Sequence, residues 1–340
     1  MTAASVAVDP NSSVSPLLPE SADLSIILNF MKPLIPLLQD DSVTEIVGNQ
    51  DGRWFYQRRA TQGMQEANIS FSSDSLKTTL TVLSSQLSIP FDEDHPLLNA
   101  QLQDGSRIAA THPPITKPGL AVTIRKFPRR RFTMQDLIGF GTVSQALAHQ
   151  LQGIVAEGGT ILISGSTDAG KTTLLNAMTD FIPANERILV IEDTPELRIG
   201  HRNLVSFACR NKPYDGQEKV TFDDLLMHAL RFTPDKIILG EVRDKTARTL
   251  LDSFNTGHDG SLATIHATSA PLALSRLAEL AMRAHEQSNR YDISQEIAGC
   301  VNCVIQAKKT AQGRRVTEVI RVTGFDRDAN RFLYDTIFSN

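Results

Sequence analysis

Residues 160–172 read Thr-Ile-Leu-Ile-Ser-Gly-Ser-Thr-Asp-Ala-Gly-Lys-Thr. The first part is a short apolar run typical of a buried strand, and Gly165 to Thr172 fit the pattern Gly-x-x-x-x-Gly-Lys-[Ser/Thr]. The pattern is informative where a strand leads into the loop and a helix leaves it, as we predict here. Backbone N–H groups of the loop and the positive end of the helix then converge on phosphate oxygens.

The side chains of this loop suit a nucleoside triphosphate with Mg²⁺. Gly165 and Gly170 allow a close approach of the backbone, the Lys171 ammonium can reach the β- and γ-phosphates, and the Thr172 hydroxyl can ligate the metal. We therefore predict ATP and Mg²⁺ as ligands. The predicted nucleotide-binding residues are Gly165, Ser166, Thr167, Asp168, Ala169, Gly170, Lys171, Thr172 and Thr173.

The chain around the loop alternates strands and helices. Short apolar runs at Thr160–Ser164, Arg187–Ile191, Lys236–Leu239 and Leu262–Ile265 are separated by helical patterns. Wholly apolar strands with helices between them indicate a parallel sheet that is covered on both faces. Residues 136–340 are accordingly predicted to form an α/β domain.

Polar side chains follow three of these strands. Because ligands of parallel sheets bind beyond the carboxyl ends of the strands, these side chains can face the nucleotide. We predict that Glu241 orients the water that attacks the γ-phosphate and that His266 senses this phosphate by a hydrogen bond. Phosphate-loop enzymes commonly place an Asp before such a Glu to hold the Mg²⁺ shell. Here that residue is Gly240, so we expect Glu192 or Asp193 to supply the carboxylate.

The N-terminal part of the chain is expected to differ. Residues 1–20, rich in Ser, Pro and Ala, are predicted to be a disordered tail, and residues 21–125 a small α+β domain. Residues 126–135, which include three consecutive arginines, are predicted to be a linker. Their charges are either simply solvated or part of a hinge near a phosphate or a neighbouring subunit. Leucines at 76, 80, 83 and 87 are spaced as one face of a helix.

Composition narrows the classes of function. The chain has 340 residues with 34 Lys and Arg against 38 Asp and Glu, a net charge of −4, which argues against a generally basic nucleic-acid coat. We expect no sequence-specific nucleic-acid binding. We also expect no membrane span and no secretory signal, and hence a cytoplasmic protein that is at most peripheral on a membrane.

Two cysteines, Cys300 and Cys303, have the spacing of half a zinc site. No second pair of Cys or His residues follows at a suitable distance. We therefore interpret them as small apolar residues in a reducing compartment.

Four segments together resemble a known family. In chain order, Gly165–Thr173, Arg187–Asp193, Leu239–Arg243 and Asn255–Ala267 resemble the phosphate loop, the acidic "Asp box", the Gly-Glu second motif and the "His box" of the type II/type IV secretion traffic ATPases. The resemblance extends over residues 40–330 and is strongest to the conjugal-transfer and tight-adherence branches. It implies a RecA-like C-terminal domain preceded by a smaller α+β N-terminal domain.

The resemblance also implies a working arrangement. Such enzymes are ring-shaped homohexamers that bind nucleotide between the two domains, and Arg107 and Arg125 match the arginines that reach it from the N-terminal domain. The implied function is Mg²⁺-dependent ATP hydrolysis that powers type IV secretion or conjugative transfer, through substrate export or pilus biogenesis. The implied partners are machinery of the bacterial inner membrane, with the protein on its cytoplasmic face.

One residue departs from the family pattern. Asp168 stands where family phosphate loops usually have Gly, and its carboxylate would repel a triphosphate. We hypothesise that it faces solvent or an arginine. Arg243 can equally form a salt bridge at a subunit interface. An ATP-driven DNA motor and a nucleotide-binding assembly platform with little turnover remain the alternative functions.

Overall fold

A computed structural model describes residues 31–59, 61, 63–128, 130–210, 218–243, 246–255, 257, 259–284 and 289–339. The predicted tail, Arg129 of the predicted linker and the His-box residues Thr256 and His258 lie outside the described residues. The chain divides into two compact units. Within the described residues, the first contains residues 31–40, Glu45–Tyr56 and Gln65–Lys126, and the second contains Asp41–Thr44, Gln57–Met64 and Phe127 onward.

The first unit is built on a six-stranded sheet with the strand order β3-β2-β1-β6-β5-β4. Its pairs β2/β3, β1/β6, β6/β5 and β5/β4 are antiparallel. The helices are α1 (Ile35–Gln39) and α2 (Ser73–Gln86), and the strands are β1 (Val43–Gly48), β2 (Trp54–Arg58), β3 (Gln65–Ala67), β4 (Leu97–Gln101), β5 (Arg107–Thr111) and β6 (Ala121–Arg125).

Helix α2 shows why the leucine spacing predicts a helix here. Ser72 caps it by accepting a hydrogen bond from the N–H of Ser75. Leu76, Leu80 and Leu83 are buried within the helix and Leu87 is buried at its C-cap, so the predicted face is confirmed.

The second unit is built on an eight-stranded sheet with the order β14-β13-β12-β7-β11-β10-β8-β9. Its strands are β7 (Ile161–Gly165), β8 (Ile188–Glu192), β9 (Leu204–Ala208), β10 (Lys236–Leu239), β11 (Leu262–Ile265), β12 (Cys303–Thr310), β13 (Gly313–Asp326) and β14 (Arg331–Ser339). Its helices are α3 (Met134–Gly139), α4 (Gln145–Ala156), α5 (Lys171–Met178), α6 (Phe222–Ala229), α7 (Thr246–Phe254), α8 (Ala270–Met282) and α9 (Arg290–Cys300).

The six neighbouring strands β12-β7-β11-β10-β8-β9 pair in parallel. Strands β13 and β14 extend the sheet beyond β12 with antiparallel pairing. Alternate residues of a strand enter different hydrophobic cores. Leu189 lies in a core with helices α6 to α9, whereas Ile188 and Val190 lie in a core with α3 to α5. The predicted parallel sheet with helices on both faces is therefore confirmed.

The predicted linker contains an arginine with partners inside the second unit. Arg131 pairs with Asp180 at 2.5 Å and donates to the carbonyl oxygen of Asn176 at 2.8 Å. The interpretation of the linker charges as simply solvated is therefore wrong for Arg131.

No helix in the part of the chain that the structure describes is long and apolar enough to cross a membrane.

Gly260 sits at a tight approach between the ends of β10 and β11 that lie away from the phosphate loop. Its φ is +75°, a backbone conformation that residues other than glycine rarely adopt. A Cβ there would lie 3.0 Å from the backbone of Gly158 and 2.4 Å from Nζ of Lys236. The Lys236 ammonium is held at this place by the carbonyl oxygen of Asp259, at 2.7 Å.

We expect Gly260→Ala to lower the free energy of unfolding by about 1–3 kcal/mol, because it strains the backbone and displaces Lys236. Urea unfolding measures this change. Gly299→Ala is the matched control, since Gly299 lies in α9 and a Cβ at this position would have no neighbouring atom within 4 Å. That substitution should stabilise the protein by about 0.5–1 kcal/mol. Equal effects of the two substitutions would contradict this account of Gly260.

Candidate functional site

The phosphate loop connects β7 to α5, as the sequence pattern predicts. Gly165 ends the strand, and Gly170 caps the helix with a φ of +92°. A Cβ on Gly165 would lie 2.5 Å from the carbonyl oxygen of Ala307 on the adjacent β12, so only glycine fits there. Thr172 and Thr173 follow in the first turn of α5, both half-buried.

Lys171 is buried at the start of α5 although it carries a charge. Its Nζ donates to the carbonyl oxygen of Ser166 at 3.0 Å and lies 3.4 Å from Nδ1 of His266. The ammonium is thus held at the loop by polar partners, where an incoming phosphate can replace them.

His266 connects Lys171 to Glu241. His266 follows β11 and Glu241 follows β10 by two residues, and His266 Nε2 lies 3.2 Å from Oε1 of Glu241. Because a lysine ammonium only donates and an ionised carboxylate only accepts, a neutral imidazole with its proton on Nε2 satisfies both contacts. Arg243 Nη2 donates to the other oxygen of Glu241 at 2.7 Å.

The charges of these groups follow from their surroundings. Burial raises the pKa of Glu241, but the hydrogen bond and the charge of Arg243 outweigh it and hold the pKa below its ordinary value. Burial and the nearby Lys171 lower the pKa of His266 below 6.5, against the opposing effect of Glu241. At neutral pH Glu241 is therefore ionised and His266 is neutral.

Glu192 fills the space beside Gly240. It ends β8, is only 4% exposed, and its Oε1 accepts hydrogen bonds from the N–H groups of Glu196 and Leu197 at 2.9 and 3.1 Å. A Cβ on Gly240 would lie 3.1 Å from Glu192 Cγ. A carboxylate from β8 therefore occupies the room that an Asp before Glu241 would need.

The predicted metal ligands offer oxygen donors, which suit Mg²⁺. Thr172 is the second residue of α5 and Glu192 is the last residue of β8. Oδ2 of Asp193 lies 3.8 Å from Nη1 of Arg243. Within the described residues, no group of three or more His, Cys, Asp or Glu side chains could by itself hold a metal. The fit to Mg²⁺ thus depends on phosphate oxygens completing the shell, and the three assignments stay predictions.

Asp168 does meet an arginine. Arg314 of β13 binds its carboxylate, and Lys309 of β12 pairs with Oδ2 at 2.8 Å. The hypothesis that Asp168 faces an arginine is confirmed, with a lysine as an additional partner. Sequence reasoning missed both cations because they lie 146 and 141 residues from Asp168, and no local pattern connects them.

Arg107 and Arg125 lie in the first unit. They are directly opposite each other on the antiparallel strands β5 and β6, and Glu45 of β1 is opposite Arg125 on its other side. Residues directly opposite each other share one face of a sheet. The structure thus brings the two arginines together, and their contact with nucleotide stays a prediction.

Cys300 and Cys303 are buried free thiols, and burial raises the pKa of each to about 12. Neither is a reactive thiolate at neutral pH.

A family model described as "Type II/IV secretion system protein" matches residues 29–328. The chain belongs to this family of secretion ATPases. The resemblance found in the sequence motifs is thereby confirmed.

Relatives of this secretion ATPase include a conjugation protein. The chain is 33% identical over 293 residues to the conjugal transfer protein TrbB of Rhizobium radiobacter, covering 85% of this chain and 86% of that protein. It is 40% identical over 232 residues to the uncharacterized protein MJ0781 of Methanocaldococcus jannaschii, covering 66% of this chain but 32% of that protein. The similarity to TrbB supports the conjugal branch of the family.

A solved structure supports the fold. The X-ray structure of the Legionella pneumophila ATPase DotB matches with a TM-score of 0.62 at 18% identity, covering 93% of this chain and 85% of DotB. The predicted RecA-like ATPase domain with a smaller α+β domain before it is the fold of this chain.

The contacts of His266 predict how its pKa responds to substitution. Lys171→Ala should raise the pKa of His266, because it removes a neighbouring positive charge, and Glu241→Gln should lower it further. The pH dependence of deuterium exchange at the imidazole Cε1–H, followed by mass spectrometry, measures this pKa. Exchange at His149, exposed on α4, is the internal reference. A pKa that moves in the same direction in both variants would refute the bridging arrangement.

The place of Glu192 predicts that the Asp which phosphate-loop enzymes commonly have before such a Glu is harmful at position 240 of this chain. Gly240→Asp should lower the free energy of unfolding by about 1–3 kcal/mol, because the new side chain and Glu192 compete for one space. Adding Glu192→Ala should recover part of this loss. Thermal unfolding of the single and double variants checks both effects, and additive losses in the double variant would show that the two positions do not share the space.

Proposed function

We propose that the chain hydrolyses ATP with Mg²⁺ and that the energy drives export of a substrate or assembly of a pilus by a type IV secretion or conjugation machine. Membership in the secretion ATPase family supports ATP-driven secretion. The observation that carries the finer proposal is the continuous contact from Lys171 through His266 to Glu241. It connects the group that binds phosphate to the group that activates water.

Lys171 and Glu241 have different tasks in this proposal. Lys171 leaves the carbonyl oxygen of Ser166 and binds the β- and γ-phosphate oxygens. Glu241 orients a water in line with the γ-phosphorus and accepts its proton as the bond to ADP breaks. Its oxygens already accept from His266 and Arg243, but an ionised carboxylate has further lone pairs for a water.

His266 is suited to register the γ-phosphate. When Lys171 turns toward phosphate oxygens, Nδ1 of His266 loses its donor, and the imidazole is free to turn its Nε2–H from Glu241 to a γ-phosphate oxygen. Occupancy of the site is thereby coupled to the position of the catalytic carboxylate.

Thr172, with Glu192 or Asp193, holds Mg²⁺ in this proposal. Mg²⁺ held by these residues would supply positive charge to offset the negative charge that develops on the phosphate oxygens. The residues Ser166, Thr167, Ala169 and Thr173 complete the loop around the phosphates through their backbone.

We propose further that the active form is a homohexameric ring in which Arg107 and Arg125 reach the nucleotide. The two arginines are directly opposite each other on β5 and β6, so both guanidinium groups can contact one phosphate. Arginine contacts to a transferring phosphoryl group can increase the rate by about 10³–10⁵. The proposed partners are inner-membrane secretion components, met from the cytoplasmic side.

Steady-state phosphate release tests the proposal, with Lys171→Ala and Glu241→Gln assayed beside the unaltered protein. We expect each substitution to lower turnover at least tenfold, or by about 1.4 kcal/mol in transition-state stabilisation. Lys308→Ala is the matched control, since it removes an exposed lysine from β12 and should leave turnover unchanged.

Two other outcomes would favour the alternative functions. ATP binding without turnover above that of the variants would favour an assembly platform. Strong, salt-dependent binding of single-stranded DNA that stimulates turnover would favour a DNA motor.

A further inference from the structure

The hairpin formed by β12 and β13 places two cations against the phosphate loop. Lys309 and Arg314 are directly opposite each other on the two strands, so their side chains share one face. The turn between them is fixed by the Thr310 hydroxyl, which donates to the carbonyl oxygen of Gly313 at 2.8 Å. The hairpin therefore presents the two charges as a pair.

Both cations bind one residue of the loop. Lys309 Nζ lies 2.8 Å from Oδ2 of Asp168, and an Arg314 Nη2–H donates to Oδ1. Arg314 Nε also donates to the backbone carbonyl oxygen of Asp168 at 2.9 Å. Arg314 thus holds the backbone of the loop as well as its carboxylate.

Glycine at position 170 makes room for this contact. A Cβ built on Gly170 would lie 2.9 Å from Cδ of Arg314. Asp168 itself has a φ of +62°, in the left-handed region where glycine is favoured and Asp is tolerated better than most residues. The arginine therefore stabilises a loop conformation that the residue at 168 does not prefer.

The two cations also change the charge that a phosphate meets. Burial alone would raise the pKa of Asp168, but the hydrogen bonds and charges of Lys309 and Arg314 outweigh it and hold the pKa below its ordinary value. The carboxylate is ionised, and with its two partners the cluster carries a net charge of −1 + 2 = +1. A position that would repel a triphosphate is thus made attractive.

We propose that Lys309 and Arg314 are positioning residues for nucleotide binding, which fix Asp168 of the phosphate loop and cancel its charge. This proposal rests on the proposed function, in which that loop binds ATP. It follows that the acidic residue in the loop is tolerated only together with the two cations of the hairpin. Without them a polyphosphate meets an uncompensated carboxylate and a less ordered loop.

Dissociation constants for Mg-ATP and Mg-ADP, measured by titration calorimetry, test the proposal. We expect Lys309→Ala with Arg314→Ala to weaken ATP binding about tenfold or more, equivalent to about 1.4 kcal/mol. Adding Asp168→Asn should restore the constant to within about threefold, because Asn removes the charge and tolerates the left-handed conformation. Turnover at saturating ATP should change less than the dissociation constant.

Controls separate charge from folding. Lys308→Ala removes an exposed lysine next to Lys309 and should leave ATP affinity unchanged. Lys309→Gln alone keeps the Arg314 contact to the loop backbone, so it should fold and show a smaller loss of the same sign, also relieved by Asp168→Asn.

The result that would overturn the proposal is a double variant that binds ATP as tightly as the unaltered protein, or one whose loss Asp168→Asn does not relieve. The first would show that the cations are not needed, and the second that they act only through structure. Failure of the unaltered protein to bind ATP at all, with Lys171→Ala behaving identically, would instead refute the proposed function.

Discussion

Parallel pairing in a common register is the constraint on which the candidate site depends. Ile265 of β11 is paired with Ser164 of β7, and Leu239 of β10 is paired with Ile191 of β8. Because these strands run in one direction and end at nearly the same level, the residues that follow them meet at one edge of the sheet. The phosphate loop, Glu192, Glu241 and His266 are brought to this edge by the backbone pairing of their strands.

The pairing at this edge explains why the carboxylate beside Glu241 can come from either of two strands. Glu192 on β8 and residue 240 after β10 are neighbours across a parallel pair, so one space can be filled from either side. This chain fills it from β8 and has glycine on β10. The backbone N–H groups of Glu196 and Leu197 fix the Glu192 carboxylate in place.

Local patterns in the sequence predicted much of the second unit. The pattern of residues 160–178 predicts a strand, a glycine-bounded loop and a helix. The apolar runs of β7, β8, β10 and β11 predict a parallel sheet. The antiparallel strands β13 and β14 carry exposed or half-buried residues on much of their length, and their pattern did not distinguish them from loops. The cations on Asp168 were missed for a related reason, since a pairing across the sheet edge leaves no periodic signal in the chain. Arg107 and Arg125 are beside each other because of the register between β5 and β6. A sequence motif does not specify such a register.

Three charged groups around the phosphate loop already have a polar or oppositely charged partner within this chain. Lys171 is held by Ser166 and His266, Glu241 by Arg243 and His266, and Asp168 by the hairpin. A nucleotide that enters the site must therefore exchange existing contacts for new ones, so only the difference between the two sets contributes to its affinity. The contacts that are exchanged differ in kind. The contacts of Lys171 with Ser166 and His266 are hydrogen bonds to neutral acceptors, whereas those of Asp168 with Lys309 and Arg314 are ion pairs, which are stronger. In the proposed mechanism, phosphate binding therefore changes the contacts along Lys171, His266 and Glu241, while the ion pairs of Asp168 keep the loop in its shape.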